Sequence, residues 1–356
     1  MTSPLDDPAA MARLDPAGLL SRIAGLPEQI EQAWAAASAL DLPPSFASAE
    51  HVCVLGMGGS GIGGALLRAL ALETGARVPV EVVRGYRLPA YVDARSLVFA
   101  SSASGNTEET LAAFEAALAS GARCIAITTG GRLAEIALER GACLLRYDWA
   151  GEPRAALGWS FVTLVAVCSR LGLLRTSEGD VRAAVGELRV LRNEVGAEVI
   201  EAANPAKQLA RRLAGRLPVV VGAEALAPVA YRWRTQLNEN AKTWAIADEL
   251  PEMNHNAPLG YGAPAALLPL LQVILLRQPS LHPRIALRIE LTQGQLADAG
   301  VACEVVDCGG ASPLAEMLRA VSIGDFVSYY AGILHGVDPS AMQALEDLKR
   351  AMAAAG

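Results

Sequence analysis

Ser102, Ser104 and Thr107 place three hydroxyls within six residues, in the run Val98-Phe-Ala-Ser-Ser-Ala-Ser-Gly-Asn-Thr-Glu-Glu-Thr110. An apolar strand leads into them and a helix should begin behind them, so the free N–H groups and positive dipole end of that helix face the same spot. Such a place suits an anion, and a phosphate ester best, held reversibly without a fixed cation or a metal. Thr107 with two acids behind it would also serve as an ordinary helix cap. Capping accounts for Thr107 but not for the serines before it.

A second loop has the same character. Residues 52–64 read Val-Cys-Val-Leu-Gly-Met-Gly-Gly-Ser-Gly-Ile-Gly-Gly and continue as a helix from Ala65. Strand, glycine turn and helix is the layout of a phosphate-contacting βα unit, with Ser60 as its hydroxyl. Gly56, Gly58 and Gly61 also satisfy a dinucleotide fingerprint, which would require an acid at the end of the next strand. That strand ends in Arg84-Gly85-Tyr86. The dinucleotide reading is thereby weakened, since a serine-rich loop has no role in it, and a sugar phosphate is preferred.

Groups able to move protons lie elsewhere. Glu239, in Gln236-Leu-Asn-Glu-Asn240, closes a predicted helix, where the negative dipole end disfavours an acid. Arg154, in Gly151-Glu-Pro-Arg-Ala-Ala-Leu-Gly158, opens another, where a cation is disfavoured. Two local violations at distant positions are better explained by a shared site than by coincidence. His255, between Asn254 and Asn256 in a polar loop, is a site candidate, while His51 and His335 sit at element ends. Only three lysines, Lys207, Lys242 and Lys349, stand against 27 arginines. Lysines retained in so arginine-rich a chain can act as compact point charges, or simply lie at the surface.

The elements that position these groups follow from apolar periodicity. Residues 8–40 predict packed helices ended by Pro43-Pro44. Strands are expected at 52–56, 79–83, 96–101, 122–128 and 143–147, with helices near 61–74, 107–119, 131–140, 156–173 and 178–200. The second half predicts strands at 217–222, 243–247, 270–276 and 302–306, and helices at 225–240, 285–299, 312–335 and 339–353. Strands without period-2 alternation are covered on both faces, which means parallel sheets. The fold class is α/β: two domains, each a parallel sheet flanked by helices, with extra N-terminal helices. The expected divisions are 1–44, 45–200 and 201–356. Both phosphate-type loops follow strand ends, where ligands of parallel sheets sit.

Composition narrows the class further. Net charge is −7, no basic run occurs, and a nucleic-acid partner is not expected. Six cysteines without a C-x-x-C pair fit free thiols in a reducing cytoplasm. Residues 258–276 lack charge but are broken by glycines and prolines, so no membrane span is expected. No metal-ligand spacing is present.

Together, Gly56-Met-Gly-Gly-Ser-Gly-Ile-Gly, Ser102-Ala-Ser-Gly-Asn-Thr-Glu-Glu-Thr, Pro153-Arg-Ala-Ala-Leu-Gly and Asn238-Glu-Asn…Asn254-His-Asn resemble the bifunctional phosphoglucose/phosphomannose isomerases. The resemblance covers about residues 45–351 and implies two sugar isomerase (SIS) domains, a homodimer and no cofactor. It implies that Gly59, Ser60, Ser102, Ser104 and Thr107 hold the phosphate of a sugar phosphate. It further implies Glu239 as the base between C2 and C1, Arg154 beside the enediolate, His255 opening the sugar ring from across the dimer, and Lys349 near the ring oxygen. Ala103 and Ala257 depart from the family pattern, which usually has tyrosine and an acid there. A regulator using the same loops would carry a DNA-binding helix-turn-helix, which the acidic N-terminus does not supply. A glutamine-dependent amidotransferase would need a cysteine at position 2, where Thr2 stands. A catalytically inactive SIS-domain binder remains the alternative.

Overall fold

The computed structural model describes residues 3–354. Three helices come first: α1 (Pro8–Leu14), α2 (Leu19–Ala24) and α3 (Leu26–Ala39). The first lobe follows with β1 (His51–Leu55), α4 (Gly58–Glu73), β2 (Val80–Val83), β3 (Ser96–Ser101), α5 (Glu108–Ala119), β4 (Arg123–Thr128), α6 (Gly131–Glu139) and β5 (Cys143–Arg146). A 3-10 turn (Pro153–Ala155) and a π turn (Gly158–Val162) lead into α7 (Thr163–Arg170), then α8 (Glu178–Val195). The second lobe holds α9 (Pro205–Leu213), β6 (Leu217–Ala223), α10 (Ala227–Asn240), β7 (Ile246–Leu250), β8 (Leu271–Arg277), α11 (Pro283–Asp298), β9 (Ala302–Asp307), α12 (Pro313–Leu334) and α13 (Gln343–Ala354).

Both sheets are wholly parallel, ordered β2-β1-β3-β4-β5 and β7-β6-β8-β9. Leu97 to Ala100 of β3 are fully buried, as a strand covered on both faces must be. In the first sheet the connections reverse direction between β1 and β3, so a crevice opens at their C-terminal ends. The two loops singled out by sequence follow those two strands. Helix α12 is buried along most of its length and packs against α8, α9 and α10, which makes it the axis of the second lobe. Among the described residues, no helix is long and apolar enough to cross a membrane. All six cysteines are free, and burial pushes the Cys53, Cys124, Cys168 and Cys308 thiols up to about 12.

The helix expected at 178–200 ends at Val195, and α9 has no predicted counterpart. Three further elements depart from their predicted bounds for a local reason. The strand expected at 243–247 lies at 246–250. Lys242 takes left-handed backbone (φ 53°), Thr243 N–H bonds back to Leu237 O at 3.2 Å, and Ala245 N–H donates to Asn238 Oδ1 at 3.0 Å. The chain therefore hugs the end of α10 before it can join the sheet. The helix expected at 156–173 becomes a π turn followed by α7, where Gln29 of α3 bonds both Ala155 O and the Gly158 N–H at its start. The last helix starts at Gln343 instead of 339, since the Pro339 and Ala341 carbonyls accept from side chains.

The N-terminal segment clasps the second lobe. Leu5 is fully buried, and the buried Lys207 ammonium donates to Leu5 O (2.6 Å) and Ala197 O (2.8 Å). Ser3 bonds Glu201, which also pairs with Arg211 at 2.8 Å. Hydrogen bonds from Arg211, opposed by burial and aided by Ser3, hold the Glu201 carboxyl down at about 2 against an ordinary 4.5. A depressed carboxylate stabilises fully above its unfolded value and loses that contribution as pH falls through the folded one. The clasp should weaken as pH drops from about 4.5 towards 2. Arg211→Ala should flatten the stability loss across that window, as read from urea midpoints at stepped pH. Identical acid slopes for parent and variant would contradict this.

Candidate active site

Two helix N-termini meet at the crevice. Ser60 lies in the first turn of α4, where its Oγ accepts from Ala103 N–H at 3.3 Å, so the glycine loop and the serine loop touch. Ser102 Oγ and Thr107 Oγ1 are 2.9 Å apart, and Ser102 Oγ accepts from Gly105 N–H at 3.1 Å. Thr107 occupies the N-cap position of α5 without a side-chain cap bond. Its hydroxyl is turned to Ser102 instead, so simple capping is not its role. Ser104 is exposed beside them, with Asn106 N–H on its Oγ at 3.3 Å. Hydroxyls and helix-end amides without a side-chain cap make an arrangement that can hold an anion.

Close backbone approach links this arrangement to Arg154. A Cβ on Gly59 would lie 2.8 Å from both N and Cα of Arg154, so only glycine lets the turn rest on that backbone. Gly63 is tighter still, with Ser160 O 1.9 Å from where its Cβ would be. From the far side the N-terminal helices brace the same turn. Gln29 holds Ala155 and Gly158, and Arg22 of α2 forms a two-pronged pair with Glu152 at 2.9 Å on each arm. Sequence reasoning assigned no purpose to the N-terminal segment; positioning the Arg154 turn is one.

The Arg154 side chain then crosses to the second lobe. Its Nη1 donates to Glu239 Oε2 at 3.2 Å, so the two charges singled out in the sequence are in contact. Glu239 does close α10, whereas Arg154 sits in the 3-10 turn Pro153–Ala155 and not at the start of a helix as expected. Nε donates to Asn240 Oδ1 at 2.7 Å and Nη2 to Pro339 O at 2.8 Å, while Met342 Sδ lies 3.3 Å from Nη1. Burial pushes the guanidinium down from its ordinary value and the Glu239 carboxylate pushes it back. It stays charged, as arginine does in proteins. Lys242 closes the edge by donating to the carbonyls of Glu239, Pro339 and Ala341, tying the α12–α13 connection to the end of α10. Burial first, then Arg154, push its ammonium down.

Two predicted residues are not gathered here. His255 is exposed on a 3-10 turn (Glu252–His255), and Lys349 is exposed on α13, with no hydrogen bond to either side chain among the described residues. Sequence reasoning also gave no role to Asn240 or the 339–342 connection. Asn240 stood in plain view beside Glu239, but its partners are 86 and 88 residues away in sequence.

Fold and site together define a protein built on paired sugar isomerase domains. Residues 45–137 match the SIS domain, and residues 202–352 match the bacterial phospho-glucose isomerase C-terminal SIS domain. The chain is 37% identical over 336 residues to the bifunctional phosphoglucose/phosphomannose isomerase of Caldicellulosiruptor bescii, covering 94% of this chain and 99% of that one. The protein of the same description from Aquifex aeolicus is 33% identical over 309 residues, 87% and 92% of the two chains. A solved structure of a hypothetical protein from Thermus thermophilus shares the fold, with TM-score 0.72 at 19% identity over 98% of this chain and 94% of that one. The chain belongs to the bifunctional phosphoglucose/phosphomannose isomerase family.

Proposed function

We propose that this chain is an aldose–ketose isomerase that interconverts glucose 6-phosphate and mannose 6-phosphate with fructose 6-phosphate through a cis-enediol. The observation that carries the reading is the Arg154–Glu239 contact beside a hydroxyl-lined helix-end cradle. An aldose has a weakly acidic C2–H next to a masked carbonyl. Turnover needs a carboxylate to take that proton and a fixed positive charge where the enediolate oxygen develops. Glu239 supplies the first and Arg154 the second, while Gly59, Ser60, Ser102, Ser104 and Thr107 hold the phosphate. The two aldoses differ only at C2 and give the same enediol, so one site suits both. The test is to supply purified protein with fructose 6-phosphate, from which both aldose phosphates should form. An inactive sugar-phosphate binder would form neither.

His255 and Lys349 belong, in this reading, to a site completed in a cytoplasmic homodimer with lobes bounded near 45–200 and 201–356. Trp244 (81% exposed), Ile246, Leu259 (95%), Leu267 and Leu270 are exposed apolar side chains of residues 244–270, the stretch that also holds the edge strand β7 and His255. An exposed edge with large apolar side chains calls for cover, and a second copy would bring His255 to its neighbour's site. Glu239→Gln and His255→Ala, each inactive alone, are then unfolded together and refolded. Mixed dimers hold one intact site, so random pairing should return about a quarter of wild-type activity. Proven subunit exchange with no gain in activity would sink the shared site.

A further inference from the structure

We infer that Asn240 is a positioning residue for the isomerisation, fixing the plane of the Arg154 guanidinium through Nε so that Nη1 is the donor left to the reacting sugar. The inference rests on the reading in which Arg154 stabilises the enediolate. Asn240 is fully buried in the last turn of α10, directly after Glu239. Its Oδ1 accepts from Arg154 Nε at 2.7 Å and its Nδ2 donates to Ser328 Oγ at 2.9 Å. Ser328 Oγ in turn donates its single proton to Asp325 O at 2.9 Å, so towards Asn240 it can only accept. The amide therefore has one allowed orientation, with its oxygen on the arginine. The far end of Arg154 is held as well, since Arg232 Nη2 donates to Arg154 O at 3.0 Å.

The choice of amide over acid has a chemical consequence. A neutral acceptor orients the guanidinium without pairing its charge. At Nη1, by contrast, the partners are a partly exposed carboxylate and a thioether, a weak acceptor that a ligand oxygen can replace. Asn240 thus holds the arginine still while leaving its charge for the transition state.

The test measures kcat and KM separately, on folded full-length protein, for Asn240→Ala, Ser328→Ala and Arg154→Ala. A misplaced catalytic group costs on the order of 100-fold in rate. Asn240→Ala should lower kcat by roughly 10- to 100-fold with KM within about threefold of the parent. Ser328→Ala removes one hydroxyl and frees the amide to turn over, so kcat should fall severalfold at the same KM. This second variant decides the matter if Asn240→Ala does not fold. A kcat within twofold of the parent for the folded variants, or a loss confined to KM, would overturn the inference. Arg154→Ala separates the two levels. If it is inactive while Asn240 and Ser328 variants are normal, only the positioning role fails; if it is fully active, the role given to Arg154 fails.

Discussion

Glu239→Gln should lower kcat at least about 100-fold for both aldose phosphates while leaving KM within about threefold. Glutamine keeps the shape of the side chain and can still accept from Arg154 Nη1, so the contact at 3.2 Å need not collapse. What disappears is the carboxylate, the group proposed to take the C2 proton. The proposed phosphate site is built from the N-termini of α4 and α5 in the other lobe and does not depend on it. Initial-rate measurements over a range of each substrate separate the two parameters. Turnover within threefold of the parent would remove Glu239 from the role of base, and a matched rise in KM would make it a binding residue instead.

Asp325→Ala should cost about 3–5 kcal/mol of stability, because it strands a buried arginine. Arg232 Nη2 reaches both Asp325 oxygens, at 2.7 and 3.0 Å, and Gln236 Nε2 donates to the same carboxylate at 2.9 Å. Both ion-pair partners are nearly inaccessible. Burial pushes the Asp325 carboxyl up and Arg232 pulls it back down. Removing the acid alone leaves a positive charge with no counter-ion in the core. Replacing both partners, as Arg232→Met with Asp325→Leu, should recover much of the loss, since an apolar pair of similar volume can match a buried ion pair. Denaturant midpoints read both effects. A loss below about 1 kcal/mol for the single variant would show the pair to be solvated and contradict this account of the core.

How far the sequence reached depended on the range of the interactions. Apolar runs and helical spacing act over a few residues, so the two parallel sheets and nearly every helix were legible. Glu239 was legible for the same reason, because an acid at the end of α10 is a local anomaly, whereas Arg154 was singled out by a helix start that the structure replaces with a 3-10 turn. The duties of Gln29 and Asn240 are set by partners 126 and 86 residues away, and nothing nearby signals them. Residues 243–245 looked like strand by composition, yet the left-handed Lys242 and the Asn238 side chain hold them against α10. Thr107 could be read as a cap or a ligand, and nothing in its sequence signals that its hydroxyl meets Ser102 in place of a cap bond. His255 stood out as a loop histidine between two asparagines, but its role and that of Lys349 came through family resemblance, and a single chain leaves both exposed.

The central claim is one enediol formed at one base and shared by two aldoses. Its most direct measurement is fructose 6-phosphate incubated with the protein in heavy water and followed by NMR. A base that exchanges with solvent while the enediol exists must deliver deuterium to C2. Glucose 6-phosphate and mannose 6-phosphate should both appear, each carrying deuterium at C2, and the Glu239→Gln protein should form neither at a comparable rate. Formation of only one aldose, or of products with wholly unlabelled C2, would contradict the account.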